Sequence, residues 1–173
     1  MFRKILTYGA IGGAIVGVFN VVVSFIDVPL PYGMFVGYSV MLVALSTVFV
    51  AIKQQRDVDQ GGVIRFWPAL ALGLGISVVA SIIYVVAWEL SQTLMHGDFA
   101  NGYADAMIAQ KKAAGVSGAA LKAFITEMDQ FKVQYHDPLY RLPMTFIEIF
   151  PVGVLVSLVS AGLLCNSRFL PRR

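Results

Sequence analysis

The sequence predicts an all-α membrane protein: four transmembrane helices, both termini cytoplasmic, and an external amphipathic helical hairpin between the third and fourth spans. Three observations carry this reading. Four apolar runs, at about 5–26, 33–52, 68–94 and 143–165, are each long enough to cross a hydrocarbon core of about 30 Å as a helix. The 173 residues are 58% hydrophobic and only 13% charged, where soluble domains carry about 25% charge. Basic residues flank the runs on one side. Arg3 and Lys4 precede the first, Lys53, Arg56 and Arg65 separate the second from the third, and Arg168, Arg172 and Arg173 follow the fourth. The short first connection, Asp27 to Tyr32, has none, so the positive-inside rule puts both termini in the cytoplasm. The other five basic residues lie in the long insert at about 96–142, balanced there by five acids. A long loop weighs little on orientation. The whole chain, 1–173, reads as one membrane domain. Its pI of about 9.1 then reflects orientation, and no nucleic-acid partner is expected.

The first span carries a continuous stripe: Gly9, Gly13, Gly17, Asn20, Ser24 and Asp27 share one helical face. Its first half is two consecutive G-x-x-x-G units, the pattern that lets helices approach closely in lipid. The charged start Phe2-Arg3-Lys4 resembles a signal peptide, but the apolar run of about 22 residues exceeds a signal core of roughly 7–15. It reads as a retained anchor. Val28 to Gly33, with Pro29 and Pro31, reads as a stiff turn. The second span follows, with Gly33 and Gly37 four apart. A polar loop, Gln54 to Ile64, flexes at Gly61-Gly62. Trp67 and Trp88 bracket the third span at a separation of about 31 Å, as an interfacial aromatic pair does. A small-residue row, Ala69, Gly73, Ser77 and Ser81, marks its packing face, and the helix reads as running on toward Met95.

The insert reads as two short helices. Asp98 caps one from Phe99 to Ala114, stopped by Gly115. Ser117 caps a second with the apolar face Leu121, Phe124, Ile125, Met128, Phe131 and Tyr135. Pro138 is expected to end it, and Pro143 to open the fourth span.

Several stretches together resemble a known family. They are Gly37-Tyr38, Met41 to Ser46, Ile52 to Asp57, Gly61 to Ile64, Ser81 to Tyr84 with Trp88-Glu89, and Thr145-Phe146-Ile147-Glu148-Ile149-Phe150-Pro151-Val152-Gly153. The chain resembles an uncharacterised bacterial four-helix membrane family, domain of unknown function 4199, over nearly its full length. The resemblance implies a bacterial inner-membrane protein. It supplies no activity, substrate or catalytic residue.

The ionisable residues of the spans place three carboxylates near one outer level: Asp27, Glu89 and Glu148. Asn20 lies about two turns below Asp27. With Arg141 these form a candidate polar cluster, read either as structural pairing, with Lys132 or a histidine as further partners, or as an outward-facing pocket. Gly9, Gly13, Gly17, Gly73 and Ser77 are the candidate helix-packing residues. Glu148 sits about 180° around its helix from Ser157, so the carboxylate and the small-residue row are expected to face different neighbours. His96 and Asp98 open the insert, and His136 and Asp137 close it. Their weak metal-like pattern lacks any zinc spacing, so no metal and no cofactor are expected. Cys165 stands alone. No nucleophile, base and orienting group form a catalytic set.

The leading functional expectation is therefore a non-enzymatic membrane subunit or scaffold in the bilayer, contacting an envelope partner or a second copy of itself. The alternative is a small carrier or lipid-handling protein that uses the outer polar cluster.

Overall fold

A computed structural model describes residues 1–24, 30–94 and 99–171, and among these the chain is helical with no strand. Four long helices and a two-helix insert follow in order. They are α1 (Phe2–Ser24), α2 (Leu30–Gln54) with a π-helical turn (Gln55–Asp59), α3 (Phe66–Leu94), α4 (Phe99–Ala113), α5 (Gly118–Tyr135) and α6 (Pro138–Leu164). Helices α1, α2, α3 and α6 are long and apolar enough to cross a membrane. The 29 residues of α3 extend about 43 Å, well beyond a 30 Å hydrocarbon core.

Small residues set the packing around α3. A Cβ added at Gly9 would lie 2.6 Å from Val79 Cβ, at Gly13 2.7 Å from Ile83 Cβ, and at Gly17 2.7 Å from Ala87 Cβ. Both partners advance by four residues at each step, so α1 and α3 run parallel in close contact. On the other side of α3 the order reverses. A Cβ at Gly73 would meet Ser157 Cβ at 2.8 Å, and one at Gly153 would meet Ser77 Cβ at 2.6 Å. Thus α3 and α6 are antiparallel. The hydroxyls of Ser77 and Ser157, 3.3 Å apart, donate to their own helices' carbonyls at Gly73 and Gly153. No buried hydroxyl at this contact is left unsatisfied.

Helix α2 closes the bundle. It runs antiparallel to α1, with Ala44 and Thr47 against Gly12 and a Tyr8 Oη–Gln54 Oε1 bond of 2.9 Å. Its apolar face, Met41, Leu45, Val48 and Ile52, joins Val16, Leu72, Ile76 and Ile149 in the core. The expected polar loop after the second span is shorter than its composition implies. The helix continues through the π turn, and Arg56 is completely buried there. Arg56 Nε donates to Asp57 at 2.6 Å, Nη1 to the Phe169 carbonyl at 2.8 Å and Nη2 to the Leu170 carbonyl at 2.5 Å. The tail beyond α6 therefore folds back beneath the bundle. Lys4 pairs with Asp59 at 2.7 Å at the same end.

The insert is a helical hairpin at the other end. Gly115 (φ +82°) and Gly118 (φ +63°) make its turn in a conformation that suits glycine. Ser117 holds the N-cap position without a side-chain hydrogen bond. The apolar face of α5 turns inward: Met128 and Tyr135 are buried, and Phe131 packs on Tyr103. Lys132 pairs with Asp105 across the hairpin at 2.9 Å. The expected boundary after it is corrected. Pro138 does not end α5 but opens α6 in its first turn, after Asp137 caps Leu139 N at 2.9 Å, and Pro143 lies inside α6. Proline lacks only an N–H that the first turn does not use, so Asp137-Pro138 is itself a start signal.

Gly13→Leu is expected to destabilise the protein by about 1–3 kcal/mol through overpacking. Gly162→Leu is the control, because nothing lies within 4 Å of a Cβ there. Thermal unfolding in mild detergent should show a lowered midpoint for the first variant and little change for the second.

Candidate functional site

Each polar side chain at the hairpin end is placed by the α3 register. Tyr84 lies seven residues beyond Ser77, Trp88 seven beyond Ser81, and the α-helical period keeps all four on the buried α3 face. Glu89, one position round, reaches the edge of that face. These residues organise two polar constellations.

The first joins the hairpin to the bundle. Arg141 of α6 grips Glu89 of α3 in a two-pronged pair, with Nε to Oε1 at 2.7 Å and Nη2 to Oε2 at 2.6 Å. Such geometry makes the strongest kind of side-chain pairing. Arg141 Nη1 also donates to the Tyr135 carbonyl at 3.0 Å. Trp88 Nε1 donates to the Tyr135 hydroxyl at 2.7 Å, and its ring meets Phe99 edge-on. The side chains of Arg141 and Glu89 are 13% and 29% exposed, so the pair is partly screened from water. Burial pushes the Tyr135 phenol up to about 12, against the lowering effect of the Trp88 bond. Tyr135 is therefore neutral at physiological pH.

The second constellation crosses three spans. Asn20 Nδ2 of α1 donates to Tyr84 Oη of α3 at 3.0 Å, and Tyr84 Oη donates to Glu148 Oε2 of α6 at 3.3 Å. Ile83, beside Tyr84, packs on Gly13 at the middle of α1.

The expected single cluster is thus divided. Glu89 meets Arg141, whereas Asn20 meets Glu148 through Tyr84, and Asp27 lies outside the described residues. Glu89 and Glu148 do not share one level: Glu148 is seven residues, about 10 Å, further along α6 than Arg141, the partner of Glu89. The two residues of the expected interfacial pair differ in their surroundings: Trp67 is 74% exposed, and Trp88 is only 8% exposed, covered by the hairpin's aromatic residues. Trp88 is therefore a protein contact. Glu148 and Ser157 lie on different faces of α6, one exposed and one buried, and only the long Tyr84 side chain reaches round from α3 to the carboxylate. Gly9, Gly13, Gly17, Gly73 and Ser77 are the α3 contact residues already described. His96 and Asp98 lie outside the described residues. Among those described, no three metal-ligating side chains come together.

Sequence reasoning missed Tyr84 as the branch point, Tyr135 as a polar group and Arg56 as a buried latch. Tyr84 had a readable signal, its place in the row with Ser77 and Ser81.

The chain belongs to a family of unknown function. The family described as Protein of unknown function (DUF4199) matches residues 7–166. No curated protein and no solved structure matches the chain. The DUF4199 match spans both constellations and reaches the end of α6.

If the Glu89–Arg141 pair locks the hairpin, Arg141→Met should loosen it by about 1–3 kcal/mol, because Glu89 loses its partner. Limited proteolysis should then cut within α4–α5 sooner. Adding Glu89→Gln should restore part of the protection, since no unpaired charge remains.

Proposed function

We propose that this chain is a non-enzymatic subunit or scaffold of a bacterial inner membrane, with cytoplasmic termini and an external hairpin that contacts an envelope partner or a second copy. One observation carries this reading. The hairpin is fastened to the spans by Arg141, Glu89, Trp88 and Tyr135, so a partner on the hairpin would meet a surface held rigidly to the membrane domain. The outward side of α5, with Asp129, Gln130, Gln134 and the 74%-exposed Val133, is the contact face in this reading. The carrier alternative relied on one outer polar cluster. The division of that cluster into two helix-linking sets favours the scaffold.

Orientation follows from the basic residues flanking the spans, and a thiol test reads it. Single cysteines at Gly62 and Gly118, in a Cys165→Ser background, are labelled on intact spheroplasts with an impermeant reagent. Reaction at 118 alone is expected; reaction at 62 alone would invert the topology.

A photo-crosslinking amino acid at Val133 tests the partner. Protein adducts should form in native membranes from Val133 but not from Val50, which is exposed on α2. Lipid adducts alone from both positions would remove the scaffold reading.

A further inference from the structure

Glu148 stands inside a span, in the α6 helix. Among the described residues no basic side chain pairs with it. Among the described residues its one hydrogen bond, from Tyr84, is long at 3.3 Å and uses Oε2. The side chain is exposed, on the same stripe of α6 as Met144, Ile147, Pro151 and Leu155. Ile147 and Leu155 are 63% and 60% exposed, and in a spanning helix such residues face lipid. Met144, one turn nearer the hairpin on this stripe, is also exposed, so apolar residues flank Glu148 along the stripe on both sides.

Among the described residues the groups around Glu148 supply no fixed positive charge. Helix α3 offers the Tyr84 hydroxyl, and α1 offers Asn20 acting through it. Helix α5 offers Tyr135, which is neutral. Arg141, one stretch up α6, is engaged by Glu89. Helix α2 has no charged residue from Leu30 to Ile52. An ionised carboxylate against hydrocarbon with one long hydrogen bond is costly, whereas the neutral acid is tolerated there.

We propose that Glu148 is a proton-binding site within the bilayer, held in place by the Tyr84–Asn20 pair. The carboxylate takes one proton from a hydronium ion of the adjoining water, which is left as a water molecule; one O–H bond breaks, one forms, nothing is oxidised or reduced, and the group stands against lipid as a neutral acid. The proposal rests on the four-span reading but not on the scaffold role.

Carbodiimides test it on the full chain in native membranes. Dicyclohexylcarbodiimide dissolves in lipid and adds a carboxylic acid's O–H across its C=N bond, so it reports neutral acids at membrane depth. Peptide mass spectrometry should find the adduct at Glu148 and not at Glu89. Labelling should decline as pH rises and vanish in Glu148→Gln. Tyr84→Phe should keep its labelling to higher pH, because the donated bond that favours the anion is gone. A purely structural Tyr84 would leave that pH profile unmoved, and an unmoved profile would overturn the role given to the pair. Absence of a Glu148 adduct at every pH, in protein that remains monodisperse, would overturn the proton site. So would equal labelling by a water-soluble carbodiimide. If that happens while Gly118→Cys still labels from outside and Gly62→Cys does not, the proton site fails alone and the four-span topology stands.

Discussion

The contact on which the other packing depends is the approach of backbones along α3. In lipid, apolar side chains gain little by leaving hydrocarbon for protein, so helices associate through van der Waals packing and interhelical hydrogen bonds. Helix α3 meets both conditions on two faces. Gly9, Gly13 and Gly17 bring α1 close on one, and the Gly73–Ser157 and Ser77–Gly153 pairs bring α6 close on the other. A larger side chain at any of these points would meet its neighbour's Cβ at under 3 Å. The overlap exists only because hydrogen stands where a methyl would otherwise be.

Once α3 and α6 are in that register, the polar links at the hairpin end follow. From Gly73 to Glu89 is sixteen residues up α3, and from Ser157 to Arg141 is sixteen residues down α6. The serine contacts near one end and the Glu89–Arg141 pair near the other are therefore two expressions of one antiparallel alignment. Tyr84 and Glu148 fall between them. A slip of one turn, about 5.4 Å, would break the small-residue contacts and leave Glu89 and Arg141 unpaired together. The charge pair thus gives specificity to a contact whose energy comes from packing.

Most of the fold was legible because its signals are local. Apolar run length, basic flanks and G-x-x-x-G spacing each act within one helix, and they yield the four long helices and the Gly115 turn. The α6 start was misplaced because Pro138 and Pro143 each fit a first helical turn; only the Asp137 cap separates them, and a capping aspartate reads equally as loop. The site was harder, because its level depends on how helices stagger against each other. The burial of Trp88 cannot be read from a local window, because Tyr135, which accepts its indole N–H, lies 47 residues further along the chain. Tyr84 was hidden for a related reason: its partners, Asn20 and Glu148, are each 64 residues away.

The two buried or half-buried arginines show how differently this chain treats charge from the way it treats Glu148. Arg56 is fully enclosed, and Nε, Nη1 and Nη2 each have an acceptor: a carboxylate and two tail carbonyls. The desolvation cost of a buried guanidinium is met there by geometry that only a folded-back tail provides, and the tail accepts a left-handed residue, Leu170 (φ 45°), in doing so. Arg141 likewise spends Nε, Nη1 and Nη2 on Glu89 and Tyr135. Where fixed charge is needed, the fold saturates it. Glu148, with one long bond and an exposed side chain, receives no such treatment. A purely structural acid at this place would be expected to have the same satisfied surroundings as its neighbours, so the difference itself points to a group whose charge is not meant to be permanent.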